Sequence, residues 1–254
     1  MTEQPHVYIH QSIDGVARSA AQAFVRLTRQ AVAVGAPFRV ALSGGSTPKL
    51  LYGLLVSDEF RGEVPWDAVD FFFGDERWVP PTDAASNYKL ANDELFVPLN
   101  VSTTSIFPVP TVGMTPEEAA AAYENTICED FNISQDAVPQ FDLIFLGMGD
   151  EGHTASLFPH TAVLHETEKL VAATFVEKLN ANRITFTPIT LNAAREVIFM
   201  LGGASKAQAL KQVLEGEYIP DEYPAQLLRN SLGQVVWLVD KDAAADLEGE
   251  YPET

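Results

Sequence analysis

The chain has 254 residues, of which 46% are hydrophobic, and it carries a formal net charge of −19 at pH 7. That length and apolar content allow one α/β domain with a sizeable core over residues 1–254. The acidic charge argues against a nucleic-acid or anionic-membrane partner, and no apolar run approaches the length that spans a membrane.

The N-terminus and the cysteine content indicate a cytoplasmic protein. Residues 1–10 contain no basic region followed by an apolar core, so we expect no signal peptide. The single cysteine cannot form an internal disulfide, which fits a reducing compartment. We expect a monomer or a small homo-oligomer.

Short apolar runs alternate with helical patterns along the chain. Eight runs predict strands: Val7–Ile9, Arg39–Leu42, Val69–Phe73, Phe141–Gly147, Leu170–Phe175, Ile184–Phe186, Glu196–Leu201 and Gln234–Val239. Three longer segments predict helices: Ser12–Val34, Pro116–Phe131 and Ala204–Leu214. The alternation predicts an αβα, Rossmann-like fold with a doubly wound, mostly parallel sheet flanked by helices. Residues 96–115 form a long irregular segment, which we expect to be a surface excursion rather than a cover over the ligand crevice.

The second predicted strand ends in a glycine turn, Ser43-Gly44-Gly45-Ser46-Thr47-Pro48. Thr47 is a plausible N-cap and Pro48 suits the first helical position, so the free N–H groups of that helix would face the ligand crevice. Gly44, Gly45, Ser46 and Thr47 are therefore candidate ligands for an anion such as phosphate. An ordinary capped turn explains the pattern equally well, and neither nucleotide-binding glycine motif is present.

The aromatic strand at Val69–Phe73 is followed by Gly74 and by three charged residues, Asp75, Glu76 and Arg77. Arg77 offers a planar, permanently charged fork for a phosphate or a developing oxyanion. Asp75 could orient that fork or accept a hydrogen bond from a sugar hydroxyl. We interpret Glu76 as part of a surface ion pair.

The strand predicted at Phe141–Gly147 leads into a glycine-rich turn that carries His153. Ligands of open parallel sheets bind outside the carboxyl ends of the strands, and glycine allows the backbone to approach them closely. His153 is therefore a candidate catalytic residue. By itself, the same pattern is also typical of a plain strand-to-helix connection.

Two further cations occupy comparable positions at strand ends. Arg183 begins an alternating strand, and Lys206 follows a strand and a second glycine turn, Gly202-Gly203. Either could be a solvated surface charge. Lys49, Lys89 and Lys211 lie at similar helix positions, and no feature of the sequence around them indicates a function.

In combination, these motifs resemble the 6-phosphogluconolactonases over nearly the whole chain. The resemblance is carried by the turn at 43–48, by Gly74 to Arg77 with Ser86-Asn87-Tyr88 downstream, by residues 147–159, and by Arg183-Ile184-Thr185 followed by Lys206. It implies hydrolysis of 6-phospho-D-glucono-1,5-lactone in the oxidative pentose phosphate pathway. The implied partner is that phosphosugar lactone, and no metal or organic cofactor is implied.

The resemblance also implies roles for individual residues. His153 would take a proton from the attacking water, and Arg77 with backbone N–H groups would stabilise the oxyanion, with Asp75 as a further catalytic residue. The residues that would hold the substrate are the turn from Gly44 to Thr47, Asn87, Arg77, Arg183 and Lys206. Whether Arg77 serves the phosphate or the oxyanion stays open.

The related glucosamine-6-phosphate deaminase/isomerases share two of these turns, so they are the first alternative. Deaminases carry Ala-Phe-Asn-Glu-Pro after the histidine, whereas this chain has Phe158 at the position of that glutamate. A phenyl ring cannot relay a proton, which favours the lactonase. The second alternative is a sugar-phosphate sensor, but the first strand begins by Val7 and leaves no room for a helix-turn-helix module.

One departure from the family pattern concerns the residue two before the histidine, which is usually aspartate. Here it is Glu151, so a carboxylate that orients the imidazole lies on a longer side chain, unless Asp150 takes that role.

Other catalytic groups are weaker candidates. Cys128 lies in a helical pattern without an adjacent histidine and is expected to be buried and inert. His6 and His10 lie in a predicted strand, too far apart to share a metal ion. His160 and His165 are expected to be loop residues.

Overall fold

A computed structural model describes residues 5–134 and 136–254. The expectation that no signal peptide is present falls in part on residues 1–4, which lie outside the described residues. The described residues form nine strands: β1 His6–His10, β2 Phe38–Leu42, β3 Val69–Phe73, β4 Asp75–Arg77, β5 Leu143–Leu146, β6 Val171–Val176, β7 Ala181–Phe186, β8 Glu196–Leu201 and β9 Gln234–Asp240.

The helices cover both faces of the sheet that most of these strands form. They are α1 Ile13–Ala33, α2 Ser46–Leu55, α3 Asn87–Ala91, α4 Val97–Leu99, α5 Pro116–Phe131, α6 Pro188–Ala193 and α7 Ala207–Leu214. Ser12 is the N-cap of α1, because its side chain accepts a hydrogen bond from the N–H of Gly15. The predicted helix at 204–214 begins as a 3₁₀ turn, Ala204–Lys206, and becomes α-helical at Ala207. None of the helices in the described ranges is long and apolar enough to cross a membrane.

Six strands form a parallel sheet in the order β1-β9-β8-β5-β2-β3, which confirms the doubly wound α/β prediction. The chain moves outward from β2 to β3 on one side and from β5 through β8 to β9 on the other. The direction of winding therefore reverses between the neighbouring strands β2 and β5. In open α/β sheets, ligands bind in the crevice at such a switch point, beyond the carboxyl ends of the strands.

Aromatic side chains pack around β3, the outermost strand at one side of the main sheet. The three phenylalanines of β3, Phe71, Phe72 and Phe73, are all fully buried. Phe72 stacks on Phe107 with ring centroids 4.5 Å apart, and Phe24 meets Phe38 edge to face at 5.5 Å. A strand covered on both faces is apolar throughout, which explains why this run lacks the alternation of a half-exposed strand.

Two predicted strands belong to a second sheet instead of the main one. β6 and β7 form a hairpin that pairs with β4 in an antiparallel sheet of order β4-β7-β6. Only a 3₁₀ turn, Glu177–Leu179, and Asn180 connect them. A parallel pair needs a crossover of a dozen or more residues, so this short connection permits only antiparallel pairing.

The segment at 96–115 is more ordered than its composition predicts. It contains α4 and a 3₁₀ turn, Thr103–Ser105, and the N–H of Phe107 donates to the carbonyl of Phe71 at 2.9 Å. The segment therefore covers the outer edge of β3, and it contributes no residue to the cavity described next.

Candidate active site

A cavity of about 330 Å³ opens at the carboxyl edge of the main sheet. Its walls come from β4, the turn after β5, the tip of the β6–β7 hairpin and the 3₁₀ turn before α7. Five predicted site residues line it: Asp75, Arg77, His153, Arg183 and Lys206. A larger groove of about 970 Å³ adjoins it and shares Asp150, Glu151, Phe158 and Lys178 with it. The smaller cavity collects the convergent charged groups, so it is the candidate site.

The glycine turn after β5 fixes the position of His153. The N–H of Gly149 donates to the carbonyl of His153 at 2.8 Å, and Gly152 has a φ of +77°. One face of the imidazole packs against Gly149, where an added Cβ would lie 2.0 Å from a ring carbon. Phe158 stacks on the ring with centroids 4.0 Å apart and an interplanar angle of 21°. The ring plane is therefore held between a glycine and a phenyl group.

The environment of His153 favours the neutral imidazole. Burial lowers the pKa of His153 from its ordinary value of 6.5, and the positive charges of Lys206 and Lys178 act in the same direction. The carboxylates of Glu151 and Asp75 act the opposite way, and burial remains the largest effect. A neutral imidazole near pH 7 can accept a proton, as a general base requires.

The adjacent carboxylates of Asp150 and Glu151 pair with different groups. Glu151 Oε1 lies 3.7 Å from His153 Nδ1, and Glu151 Oε2 pairs with Lys178. Asp150 pairs with Lys206 and accepts a hydrogen bond from Ser205 Oγ at 3.1 Å. Of the two carboxylates that the sequence left open, Glu151 is the one beside the imidazole.

Strand alternation separates the three charges of β4. Asp75 and Arg77 face the cavity, whereas Glu76 points into the protein and is only 2% exposed. Its carboxylate accepts hydrogen bonds from the N–H groups of Arg77, Asn87 and Tyr88 at 2.8, 2.7 and 2.8 Å, and from Ser86 Oγ at 3.0 Å. Burial raises the pKa of Glu76, and these four donors partly oppose that rise. The interpretation of Glu76 as a surface ion pair is wrong, because successive side chains of a strand point to opposite faces.

Two side chains from other parts of the chain hold the carboxylate of Asp75 in place. Ser156 Oγ donates to Asp75 Oδ2 at 2.7 Å, and Asn87 Nδ2 donates to Asp75 Oδ1 at 3.2 Å. Asn87 is 1% exposed and does not line the cavity, so it supports Asp75 from behind. The sequence motif contained Ser156, but nothing in its spacing singled it out.

The glycine turn after β2 differs from its prediction in one detail. Helix α2 begins at Ser46 with Gly45 as its N-cap, at a φ of +114°, so the assignment of Thr47 as the N-cap is wrong. A positive φ at Gly45 turns the chain into the helix two residues earlier than a side-chain cap at Thr47 would. Gly44 packs against Asn87 so closely that an added Cβ would lie 1.7 Å from Asn87 Oδ1.

The turn therefore lies beside the cavity rather than in its wall. Gly44, Gly45, Ser46 and Thr47 are not among the residues that line the 330 Å³ cavity. Their connection to it runs through Asn87 to Asp75.

Two arginines face each other across the small sheet. Arg77 of β4 and Arg183 of β7 are paired in register, and both line the cavity. Burial and the neighbouring charge of Arg77 lower the pKa of Arg183. Like charges directly opposite on neighbouring strands repel each other, so this arrangement favours an anion between them.

Lysines divide into those at the cavity and those elsewhere. Lys206 lines it, and so does Lys178, which the sequence did not single out. Lys49, Lys89 and Lys211 pair with Glu94, Asp93 and Glu248 and line no part of it.

The remaining reactive groups lie away from the cavity. Cys128 is buried, as predicted, and burial raises the pKa of its thiol. His165 pairs with Asp221 at 2.9 Å and His160 lies 3.4 Å from Glu222. Over residues 5–134 and 136–254, no three His, Cys, Asp or Glu side chains are grouped so that they could hold a metal ion.

The chain is similar to known proteins over most of its length. Residues 11–237 match the family described as glucosamine-6-phosphate isomerases/6-phosphogluconolactonase. A Synechocystis sp. protein named 6-phosphogluconolactonase is 38% identical over 247 residues, which are 97% of this chain and 99% of that protein. A Nostoc sp. protein of the same name is 40% identical over 210 residues, which are 83% of this chain and 85% of that protein. The solved 6-phosphogluconolactonase from Trypanosoma cruzi superposes with a TM-score of 0.86 at 30% identity, covering 98% of this chain and 99% of its own.

Proposed function

The chain belongs to the glucosamine-6-phosphate isomerase/6-phosphogluconolactonase family, and from that premise we propose that it hydrolyses 6-phospho-D-glucono-1,5-lactone to 6-phospho-D-gluconate. This reaction belongs to the oxidative pentose phosphate pathway. One observation carries the proposal: a partly buried histidine, whose pKa is lowered by burial, shares a 330 Å³ cavity with two arginines paired across a sheet. The cavity thus combines a general base with an anion site.

In this proposal His153 activates the water. A δ-lactone carbonyl is already electrophilic, so it needs an activated nucleophile, charge stabilisation and a held substrate. Nδ1 is buried beside Glu151, which leaves Nε2 as the nitrogen that takes the proton. The proton then returns to the ring oxygen when the tetrahedral intermediate collapses.

Three cations of the cavity hold the phosphate of the substrate. Arg183 and Lys206 hold the phosphate together with Arg77, whose place opposite Arg183 supports a shared anion. Asp75, oriented by Ser156 and Asn87, accepts a hydrogen bond from a hydroxyl of the sugar ring. The glycine turn from Gly44 to Thr47 shapes this region through its contact with Asn87.

The deaminase alternative is disfavoured by the contact that Phe158 makes. The phenyl group lies against the imidazole of His153, at the position where the resemblance expects a proton-relaying glutamate in a deaminase. A ring that can neither donate nor accept a proton supports hydrolysis over ring opening. Release of ammonia from glucosamine 6-phosphate would reverse this preference.

Four broader expectations remain part of the proposal. Residues 1–254 form one domain, the protein acts in the cytoplasm, it binds no nucleic acid, and it is a monomer or a small homo-oligomer. The net charge of −19 and the single cysteine support the second and third of these.

The test is proton release from freshly generated lactone, corrected for spontaneous hydrolysis. Wild-type protein should accelerate release, and His153→Ala should lose most of that acceleration while it retains affinity for 6-phosphogluconate. Acceleration that survives in His153→Ala would move the base elsewhere. No acceleration by folded wild-type protein, together with tight 6-phosphogluconate binding, would favour the sensor.

A further inference from the structure

Lys178 lies at the tip of the β6–β7 hairpin, directly over the turn that carries His153. The 3₁₀ turn Glu177–Leu179 ends at Asn180, whose left-handed φ of 46° reverses the chain into β7. Lys178 and Leu179 both line the cavity. The hairpin belongs to the second sheet, β4-β7-β6, and it places the cation of Lys178 at the rim of the cavity.

The partner of this cation is the carboxylate beside the imidazole. Lys178 Nζ pairs with Glu151 Oε2, while Oε1 of the same carboxylate lies 3.7 Å from His153 Nδ1. Among the described residues, the buried Nδ1 finds no hydrogen-bond partner. Since Gly149 and Phe158 already fix the plane of the ring, the carboxylate is the remaining group that can determine which nitrogen carries the proton.

Glu151 needs such a restraint because its side chain is long and partly solvated. It is 30% exposed and has one more rotatable bond than an aspartate, so without a second partner it could turn toward water. The ion pair with Lys178 removes that freedom. We propose that Lys178 is a positioning residue, which holds Glu151 against His153 Nδ1 so that Nδ1 keeps its proton and Nε2 stays free to act as the base. This inference rests on the lactonase function proposed above.

Because charges around His153 shift its pKa, the Lys178–Glu151 ion pair should affect the pH dependence of kcat/KM. The carboxylates of Glu151 and Asp75 raise the pKa of His153, and Lys206 and Lys178 lower it. Asp150, on the same turn, is itself paired with Lys206. Lys178→Met removes the smallest of these contributions, and it also frees Glu151, whose contribution is larger, to turn away from the imidazole. The pKa of His153 should then fall, so the acid limb of kcat/KM should move to lower pH.

The experiment is a double-mutant cycle on the assembled protein with the lactone as substrate. Lys178→Met, Glu151→Gln, the double variant and Lys178→Arg are compared with the control Lys211→Met, which breaks the Lys211–Glu248 ion pair away from the cavity. We expect Lys178→Met to lower kcat on the order of tenfold, as loss of a group that orients a functional histidine does, with little change in KM. Lys178→Arg should restore most of kcat, and Lys178→Met should cause no further loss in the Glu151→Gln background.

Two outcomes would overturn the inference. One is a rise in KM at constant kcat that persists in the Glu151→Gln background, because it would make Lys178 a direct substrate ligand. The other is an unchanged kcat and an unchanged acid limb in Lys178→Met. Lys178 is 67% exposed, so a folding failure is not expected, and equal melting temperatures check this. Failure of the proposed function has a different readout, since wild-type protein and Lys211→Met would then both lack acceleration.

Discussion

Glu76→Gln tests whether the buried carboxylate of β4 holds this part of the site together. The wild-type side chain accepts four hydrogen bonds: three from backbone N–H groups and one from Ser86 Oγ. A glutamine keeps one acceptor oxygen and presents an NH₂ group where the second oxygen was. Either way the amide is oriented, about two of the four donors lose their acceptor.

The expected cost follows from these lost contacts. A buried donor without an acceptor costs about 1–3 kcal/mol, so two of them should lower the free energy of unfolding by roughly 2–6 kcal/mol. For a chain of this size that corresponds to a fall in melting temperature of roughly 5–20 °C. Since two of the donors begin α3 at Asn87 and Tyr88, and Asn87 holds Asp75, kcat/KM should also fall.

The assay is thermal denaturation of Glu76→Gln beside Glu63→Gln. Glu63 is a matched control because it pairs with Arg29 at the surface and is 50% exposed. An exposed pair contributes about 0–1 kcal/mol, so the control should melt within about 4 °C of wild type. A Glu76→Gln variant that melts as high as the control would refute the assignment of Glu76 as a buried anchor.

Changes at Asp150, in the pH and at Gly44 should each alter binding or turnover at the site. Asp150→Asn frees Lys206 from its carboxylate partner, so titration calorimetry should show that 6-phosphogluconate binds more tightly. Weaker binding would mean that Asp150 itself contacts the ligand. The acid limb of kcat/KM should lie below pH 6.5 and activity should fall as pH falls through it, since burial disfavours the imidazolium of His153; a limb above 6.5 would contradict a lowered pKa. Gly44→Ala adds a Cβ at 1.7 Å from Asn87 Oδ1, so it should displace Asn87 and Asp75 and lower kcat/KM. The control is Gly53→Ala, which should keep wild-type activity because its added Cβ meets nothing within 4 Å.

The sequence predicted the main sheet and five of the residues that line the cavity, because both depend on local patterns. Buried parallel strands are short apolar runs, and the turns that follow them need glycine. In this fold every such turn opens at one edge of the sheet, so motifs read one at a time along the chain meet in space. Asp75, Arg77, His153, Arg183 and Lys206 were predicted in this way and line one cavity.

Only the tertiary structure decided which of these residues contact each other and which face inward. The direction of Glu76 depends on the register between β4 and β7, and the Arg77–Arg183 pair depends on the same register. The ion pair between Lys178 and Glu151 joins residues 27 positions apart, which lie in turns that follow strands of different sheets. Such contacts come from the packing of distant segments, and no pattern within either segment records the partner that packing brings to it.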